Sequence, residues 1–482
     1  FTWIAYALYV ENGDWPAAYH HDEPSKVEQI QQNQRNLFHP LFLLEATEFL
    51  CPAGADGTAI LRTGRLVSAG CMALAIGALI MAATRRHSWY AGLFVGVVSI
   101  LYFRFYEVGH YFKEDPPFLL GLAFVLWAVS ERLRVRSSWT AVSLGLAAGF
   151  AVSSKYAGVG MFAIVLPVAI LYRDRSWKRA VGLVLASAVS LFLLIHARIL
   201  FMENPLQILS SSVWQEVGWL VQGHKGIGSE IPNWDYAERL RFDLGYHGLL
   251  LLGLWVVCAE RLTKADLVIA LFAVALFVVL TMSRKYSERY LLPISMIALY
   301  YIGLLLGNLV EKAGEVSKGR LWLSGMAGCG LMALVVVPWY PWLAKHRQAF
   351  AEDSRSVLCE FLNEHVGPEA VMVTDRMVQL AAADRRRGES ERNMRIAEYA
   401  PQLGTLAELK SEGVTHVIIC YDSYHRFLAK GMEAQESRSE EWGAARSFYQ
   451  RLRQETPMWA AEARDPKPLH PGLELYAMPG KL

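Results

Sequence analysis

Ten apolar runs recur along this chain, each closed by charged or Trp/Tyr-rich breaks: Leu66 to Thr84, Trp89 to Phe105, Pro117 to Val129, Trp139 to Val152, Tyr156 to Tyr172, Ala180 to Phe201, Leu244 to Ala259, Leu267 to Met282, Tyr290 to Val310 and Leu321 to Trp342. A bilayer crossing takes about 20 apolar residues, so these runs predict transmembrane helices. The Trp139 and Leu244 runs fall short and must extend into their flanks or lie in a protein-lined region. The opening stretch, Phe1 to Val10, has half a span's length and reads as the tail of a truncated first helix, with no signal-peptide n-region or cleavage site visible. The pattern as a whole predicts about 11 transmembrane helices.

After Trp342 the pattern changes to amphipathic and short buried segments: a helix in Asp353 to His365, a strand at Ala370 to Thr374, a helix around Leu406 to Ser411, a strand in "THVIICYD" and a helix from Glu441 to Gln454. Such alternation predicts a small α/β domain. The expected division is therefore a membrane part, residues 1–344, and an extracytoplasmic domain, residues 345–482. Asp353 and Asp375 suit a helix cap and a strand-end turn better than catalysis, and the domain reads as a packing or docking module.

Composition agrees with a membrane chain: 54% of the 482 residues are hydrophobic and 19% charged. With 47 basic against 45 acidic residues, no bulk charge favours nucleic acid. Placement matters more. Arg85 and Arg86; Arg132, Arg134 and Arg136; Arg173, Arg175, Lys178 and Arg179; Arg261 and Lys264; and Lys312, Lys318 and Arg320 occupy alternate gaps, which the positive-inside rule makes cytoplasmic. The other gaps, including loops 11–64, 106–117 and 202–245, and the whole tail are then external. Within the third loop, Val213, Trp214, Val217, Leu220 and Val221 suggest a helix on the membrane surface, followed by a Gly/Pro-rich loop. The cysteines show no metal-type spacing and read as small buried side chains, with a Cys359 to Cys420 disulfide left open.

Two acidic sites share the external side: Asp22 and Glu23, beside His20 and His21, and Glu114 and Asp115 before a helix that Pro116 and Pro117 can start. Each alone has a plain explanation as a solvated helix end. Lys113, Lys155, Arg284, Lys285 and Arg289 lie at the same depth, where topology least expects positive charge. Acid and base together at a membrane surface suit transfer of a group from a lipid phosphate to a hydroxyl. A carboxylate takes the hydroxyl proton, and Lys or Arg stabilises the departing phosphate.

"YHHDEPSKVEQ...NLFHPLFLL" resembles the first external loop of the GT-C polyprenyl-phosphate-sugar glycosyltransferases, the group of the protein O-mannosyltransferases and the lipid A aminoarabinose transferase. "KEDPPFLLGLAF", "SSKYAGVGMF" and "SERYLLPI" are similar to later motifs of that group, in the same order. The resemblance covers Glu11 to about Trp342 and implies a GT-C-like fold in a bacterial cytoplasmic membrane, with the site on the external face. It implies Asp22 as catalytic base with Glu23 and Asp115 in support, and Lys155, Arg289 and Lys285 on the donor phosphate. His21 and His224 are candidates toward acceptor or metal. The chain departs from the group in its clipped first helix and its paired histidines. No HxxxH or HExxH spacing defines a zinc site, which leaves room for a divalent cation without placing one.

The expected activity is therefore sugar transfer from a polyprenyl-phosphate donor to a lipid, glycan or protein hydroxyl, with inversion by direct displacement. The rival from another class is a transporter or lipid flippase, which would want charges near the bilayer midplane and two related halves. A noncatalytic membrane scaffold is a second rival, distinguished by the effect of Asp22→Asn.

Overall fold

Helices form where the apolar runs lie, and most outgrow them because polar end residues cap and extend them. The run at Leu66 becomes a helix over Gly57–Arg86, 30 residues long. It starts where the Asp56 side chain accepts from the Ala59 N–H, and it ends on Arg85 and Arg86, whose charge suits a helix C-terminus. The Leu244 run grows backward into Asp235–Cys258, whereas the Trp139 run remains a 17-residue helix, Ser138–Ser154. A computed structural model describes residues 1–11, 20, 22–173, 176–223, 227–229, 231–258, 262–316, 321–378, 380, 393–429, 432–434, 439–465, 467 and 469–478. His21, His224, Arg175, Arg261, Lys318 and Arg320, singled out above, lie outside the described residues.

Among the described residues, 7 helices are long and apolar enough to cross a membrane, or 8 when a pair bent by 65° counts as one span. Ser138–Ser154, Tyr156–Leu171 and the opening helix Thr2–Tyr9 supply shorter apolar segments. The chain is thus a polytopic helical membrane protein with a small C-terminal sheet domain. The bent pair is Trp89–Leu101 and Phe103–Gly109, broken at Tyr102, which takes an extended backbone and donates its hydroxyl to Ser295 Oγ at 2.9 Å.

Small residues let the helices meet closely. A Cβ built on Gly303 would stand 2.7 Å from the Val95 N, and one on Gly307 2.5 Å from the Ala91 Cα. These glycines, one turn apart on Leu292–Val316, press that helix against Trp89–Leu101. At one end of the bundle Arg86 pairs with Asp266, at 2.5 Å, and Arg85 with Glu131. The opposite end carries the acidic sites and the C-terminal domain.

The last long helix, Leu321–Ala351, runs on past Trp342 before Asp353 caps Ser354–His365 by accepting from the Arg355 N–H. The strands are β1 (Ile227–Ser229), β2 (Met372–Asp375), β3 (Met394–Ala397), β4 (His416–Cys420), β5 (Met432–Ala434), β6 (Trp459–Ala463) and β7 (Pro471–Ala477). β3-β2-β4-β7-β6 form one sheet, parallel across β3, β2 and β4 and antiparallel across β4, β7 and β6. Alternation along β4 sends Val417 and Ile419 into one core, with Phe427 and Tyr449, and Ile418 and Cys420 into another, with Leu358 and Cys359. Cys359 and Cys420 are both buried and not joined to each other, so the disulfide left open is not formed. Asp375 ends β2 fully buried and accepts from the Ala400 N–H, the Cys420 N–H and the Tyr449 hydroxyl, at 2.7, 3.1 and 2.8 Å. Burial pushes its carboxyl up to about 6.

The third loop forms the expected helix, Pro205–Gln222, with Trp214 and Val221 exposed, and then β1, which pairs antiparallel with β5 of the C-terminal domain.

Candidate functional site

Two segments bring the acidic sites together at one end of the bundle. Asp22 precedes the helix Glu23–Gln31, and Lys113 to Asp115 lead into the helix Asp115–Arg134. The Asp22 carboxylate leaves the helix end uncapped and instead contacts the Lys113 ammonium, while its own N–H donates to His20 Nδ1 at 3.1 Å. Lys113 Nζ lies 3.5 Å from the same histidine nitrogen. The Asp22 side chain keeps 31% of its surface exposed, whereas Lys113 keeps 4%. A carboxylate open to an incoming molecule is thus backed by a sealed ammonium. Burial, reinforced by the nearby charge of Arg289, brings the Lys113 ammonium down to about 8.

Glu23 points the other way. Its oxygens take Arg65 Nη2 at 2.8 Å, Arg65 Nε at 3.2 Å and the Phe112 N–H at 2.9 Å, and it has no exposed surface. The first loop is thereby pinned to the long helix Gly57–Arg86 and to the segment before Lys113.

Glu114 is buried against Lys26, with 3.1 Å between the charged atoms. Burial alone would raise its carboxyl, but His39, Lys26 and Lys113 outweigh it and hold the group at about 2. Glu114 therefore stays ionised and serves as a fixed counter-charge.

The remaining expected cations converge on one ring. Lys155 Nζ, Lys285 Nζ and the Arg289 guanidinium carbon stand 5.2, 5.5 and 6.0 Å from the Tyr290 ring centroid. Lys155 also meets Asp115 Oδ1 at 2.5 Å. Arg289 lies within electrostatic reach of Asp115, Asp22 and Glu114, yet its buried Nε has no hydrogen-bond partner. Three like charges around one aromatic ring, one of them with an unsatisfied buried N–H, make a setting that an anion would stabilise.

On the other flank, Arg104 is buried among Glu107, Asp243, Glu288 and Asp465, at 2.5, 3.2, 2.9 and 3.2 Å. Beside it, a cavity of about 420 Å³ opens where the helices break at Tyr102 and Gly245, lined by Phe103, Phe242, Tyr246, His247, Trp339 and Trp342. Among the described residues no group of three or more His, Cys, Asp or Glu side chains is arranged to hold a metal ion.

Sequence reasoning missed Lys26, His39, Arg65 and Arg104. Arg65 had a signal: it is a charge inside an apolar helix, which marks function or a buried partner. Starting the run at Leu66 trimmed it off. Lys26 and His39 gave none, because both look like residues of an ordinary solvated loop.

No protein-family model matches the sequence, and no curated protein matches it. Solved structures do. ArnT from Cupriavidus metallidurans bound to undecaprenyl phosphate matches 99% of this chain and 97% of its own, at a TM-score of 0.56 and 15% identity. The apo state of the same protein matches 89% of this chain and 93% of its own, at a TM-score of 0.54 and 15% identity. The oligosaccharyltransferase of Archaeoglobus fulgidus in its apo form matches 89% of this chain and 70% of its own, at 0.52 and 12% identity. At such identities the likeness is one of fold, and it spans both the membrane bundle and the C-terminal domain: this chain shares the fold of ArnT, the GT-C-like architecture expected from the sequence.

Proposed function

We propose that the protein is an integral membrane glycosyltransferase. It takes a sugar from a polyprenyl-phosphate-linked donor and attaches it to a lipid, glycan or protein hydroxyl on the external face of a bacterial cytoplasmic membrane. The observation that carries this reading is a partly exposed carboxylate, Asp22, at the same end of the bundle as three cations, Lys155, Lys285 and Arg289, that surround Tyr290, with the buried Arg289 Nε lacking a hydrogen-bond partner. The undecaprenyl phosphate bound by ArnT, a protein of the same fold, supports a lipid phosphate as that anion.

In this mechanism the donor phosphate lies against Arg289, Lys155 and Lys285. The acceptor hydroxyl meets Asp22. Its oxygen attacks the anomeric carbon as the bond from that carbon to the phosphate oxygen breaks. The proton passes to the Asp22 carboxylate, and the polyprenyl phosphate leaves with its charge held by the cations. A phosphate leaves without an acid, so one base suffices and configuration at the sugar inverts. Glu23 does not touch substrate in this scheme; it fixes the loop that carries Asp22. Asp115 orients Lys155, and Lys113 holds Asp22 in place until the acceptor arrives. A divalent cation is not required by these steps.

The test is to supply membranes containing the protein with a panel of radiolabelled polyprenyl-phosphate sugars. The reading expects label to move from the lipid donor to an acceptor fraction. A folded protein that moves none of a broad panel would contradict it.

A further inference from the structure

The C-terminal domain reaches into the membrane bundle at the residue beside Arg289. Lys467 Nζ lies 3.2 Å from Glu288 Oε1, and Asp465 Oδ2 lies 3.2 Å from Arg104 Nη2 and 3.0 Å from Arg239 Nη2. Those two arginines hold the other oxygen of Glu288, at 2.9 and 3.1 Å. Leu469, fully buried, packs into the hydrophobic core of the membrane part, and its carbonyl accepts from the Ser354 N–H and hydroxyl. Docking is therefore both apolar and ionic.

Glu288 and Arg289 are consecutive in a 3-10 turn, Glu288–Leu291. At three residues per turn, adjacent side chains diverge by about 120°. Holding the Glu288 carboxylate among Arg104, Arg239 and Lys467 thus points Arg289 away from it, toward Tyr290 and Asp115. The turn has further ties: the Tyr236 hydroxyl accepts from the Ser287 N–H at 3.1 Å and donates to the Lys285 carbonyl at 2.8 Å. A carboxylate released from its cations would add a further anion beside Arg289, next to Asp115, Asp22 and Glu114, and would compete with a donor phosphate for it.

We infer that Asp465 and Lys467 are positioning residues that latch the C-terminal domain onto Glu288 and thereby keep Arg289 free to bind the phosphate of the lipid donor. The inference rests on the functional reading above, since it assigns Arg289 to that phosphate.

Binding of undecaprenyl phosphate to the purified full-length protein in detergent tests it, with thermal unfolding measured on each variant. The substitutions Asp465→Asn and Lys467→Met together should weaken binding by about tenfold, in the usual range for coupled sites. Lys467→Arg keeps the pair with Glu288 and should bind like the parent. In an Arg289→Met background the two latch substitutions should add no further loss, which a merely structural contact would not obey. Parent-like binding by the latch variants, or a full additive loss in the Arg289→Met background, would overturn the inference. A parent protein that does not bind the carrier at all would overturn the functional reading and the inference with it, so the two failures are distinct.

Discussion

Asp115 Oδ1 and Lys155 Nζ stand 2.5 Å apart at the ends of two adjacent helices, and together they aim the ammonium at the Tyr290 ring. The carboxylate is buried, with 3% of its side-chain surface exposed, and the ammonium keeps 20%. This asymmetry suits Asp115 as the holder and, in the proposed reaction, Lys155 as the group that meets the donor. Lys155→Met is expected to lower kcat/KM for the lipid donor by about 100-fold, the size of a lost charge-stabilising contact. Asp115→Asn should cost about tenfold, because the ammonium remains but is no longer directed. The double variant should be no worse than Lys155→Met alone. Additive losses in steady-state kinetics would show that Asp115 acts separately.

The Lys113 ammonium sets a pH dependence. Its value is brought from 10.5 to about 8 by burial first and by Arg289 second. As pH rises through about 8 a positive charge in contact with Asp22 and within electrostatic reach of Arg289 disappears. Donor kcat/KM should therefore fall above that pH, and Lys113→Met should abolish the alkaline limb and be slower below it. The stability effect has the opposite sense. The folded value lies below the unfolded one, so burying the ammonium opposes folding below about 8, and this penalty shrinks as pH rises from 8 toward 10.5. A pH–rate profile that is the same for the parent and Lys113→Met would remove Lys113 from the site.

The Glu23–Arg65 pair is a folding element. Arg65→Met leaves a carboxylate with no exposed surface facing an apolar side chain, and breaking a buried pair this way typically costs about 3–5 kcal/mol. Changing both, Glu23→Gln with Arg65→Met, should recover part of that loss, because no uncompensated charge remains. Thermal unfolding of the two variants in the same detergent checks this. If Arg65→Met alone melts with the parent, the pair does not anchor the loop.

Much of this architecture was visible in the pattern of the chain. Apolar runs marked the helices, and the charges that interrupt them at one end, Asp22, Asp115, Lys155, Lys285 and Arg289, are the residues whose surroundings are described above. Such residues are legible because a charge beside a span is costly and stands out against its neighbours. The ionic group around Arg104 was not legible. Glu107 lies three residues on in the same helix, but Asp243, Glu288 and Asp465, the last of them 361 positions away in sequence, meet Arg104 only after the whole bundle has packed, and no spacing rule links them to it. The strands Met394–Ala397, Trp459–Ala463 and Pro471–Ala477 were missed for a related reason. The segment around Met394 is four residues long, and it becomes a strand only by pairing in parallel with β2.

Asp22 carries the central claim. Asp22→Asn keeps the shape of the side chain and its contact with Lys113 but removes the base, which typically contributes about 100- to 10,000-fold to a rate. The most direct measurement is sugar transfer from a radiolabelled polyprenyl-phosphate donor by the parent and by Asp22→Asn, at equal amounts of folded protein. Transfer by the parent, with a loss of that size in Asp22→Asn and undiminished donor binding, is the predicted result. Equal transfer by both proteins would contradict the assignment of Asp22 as the base.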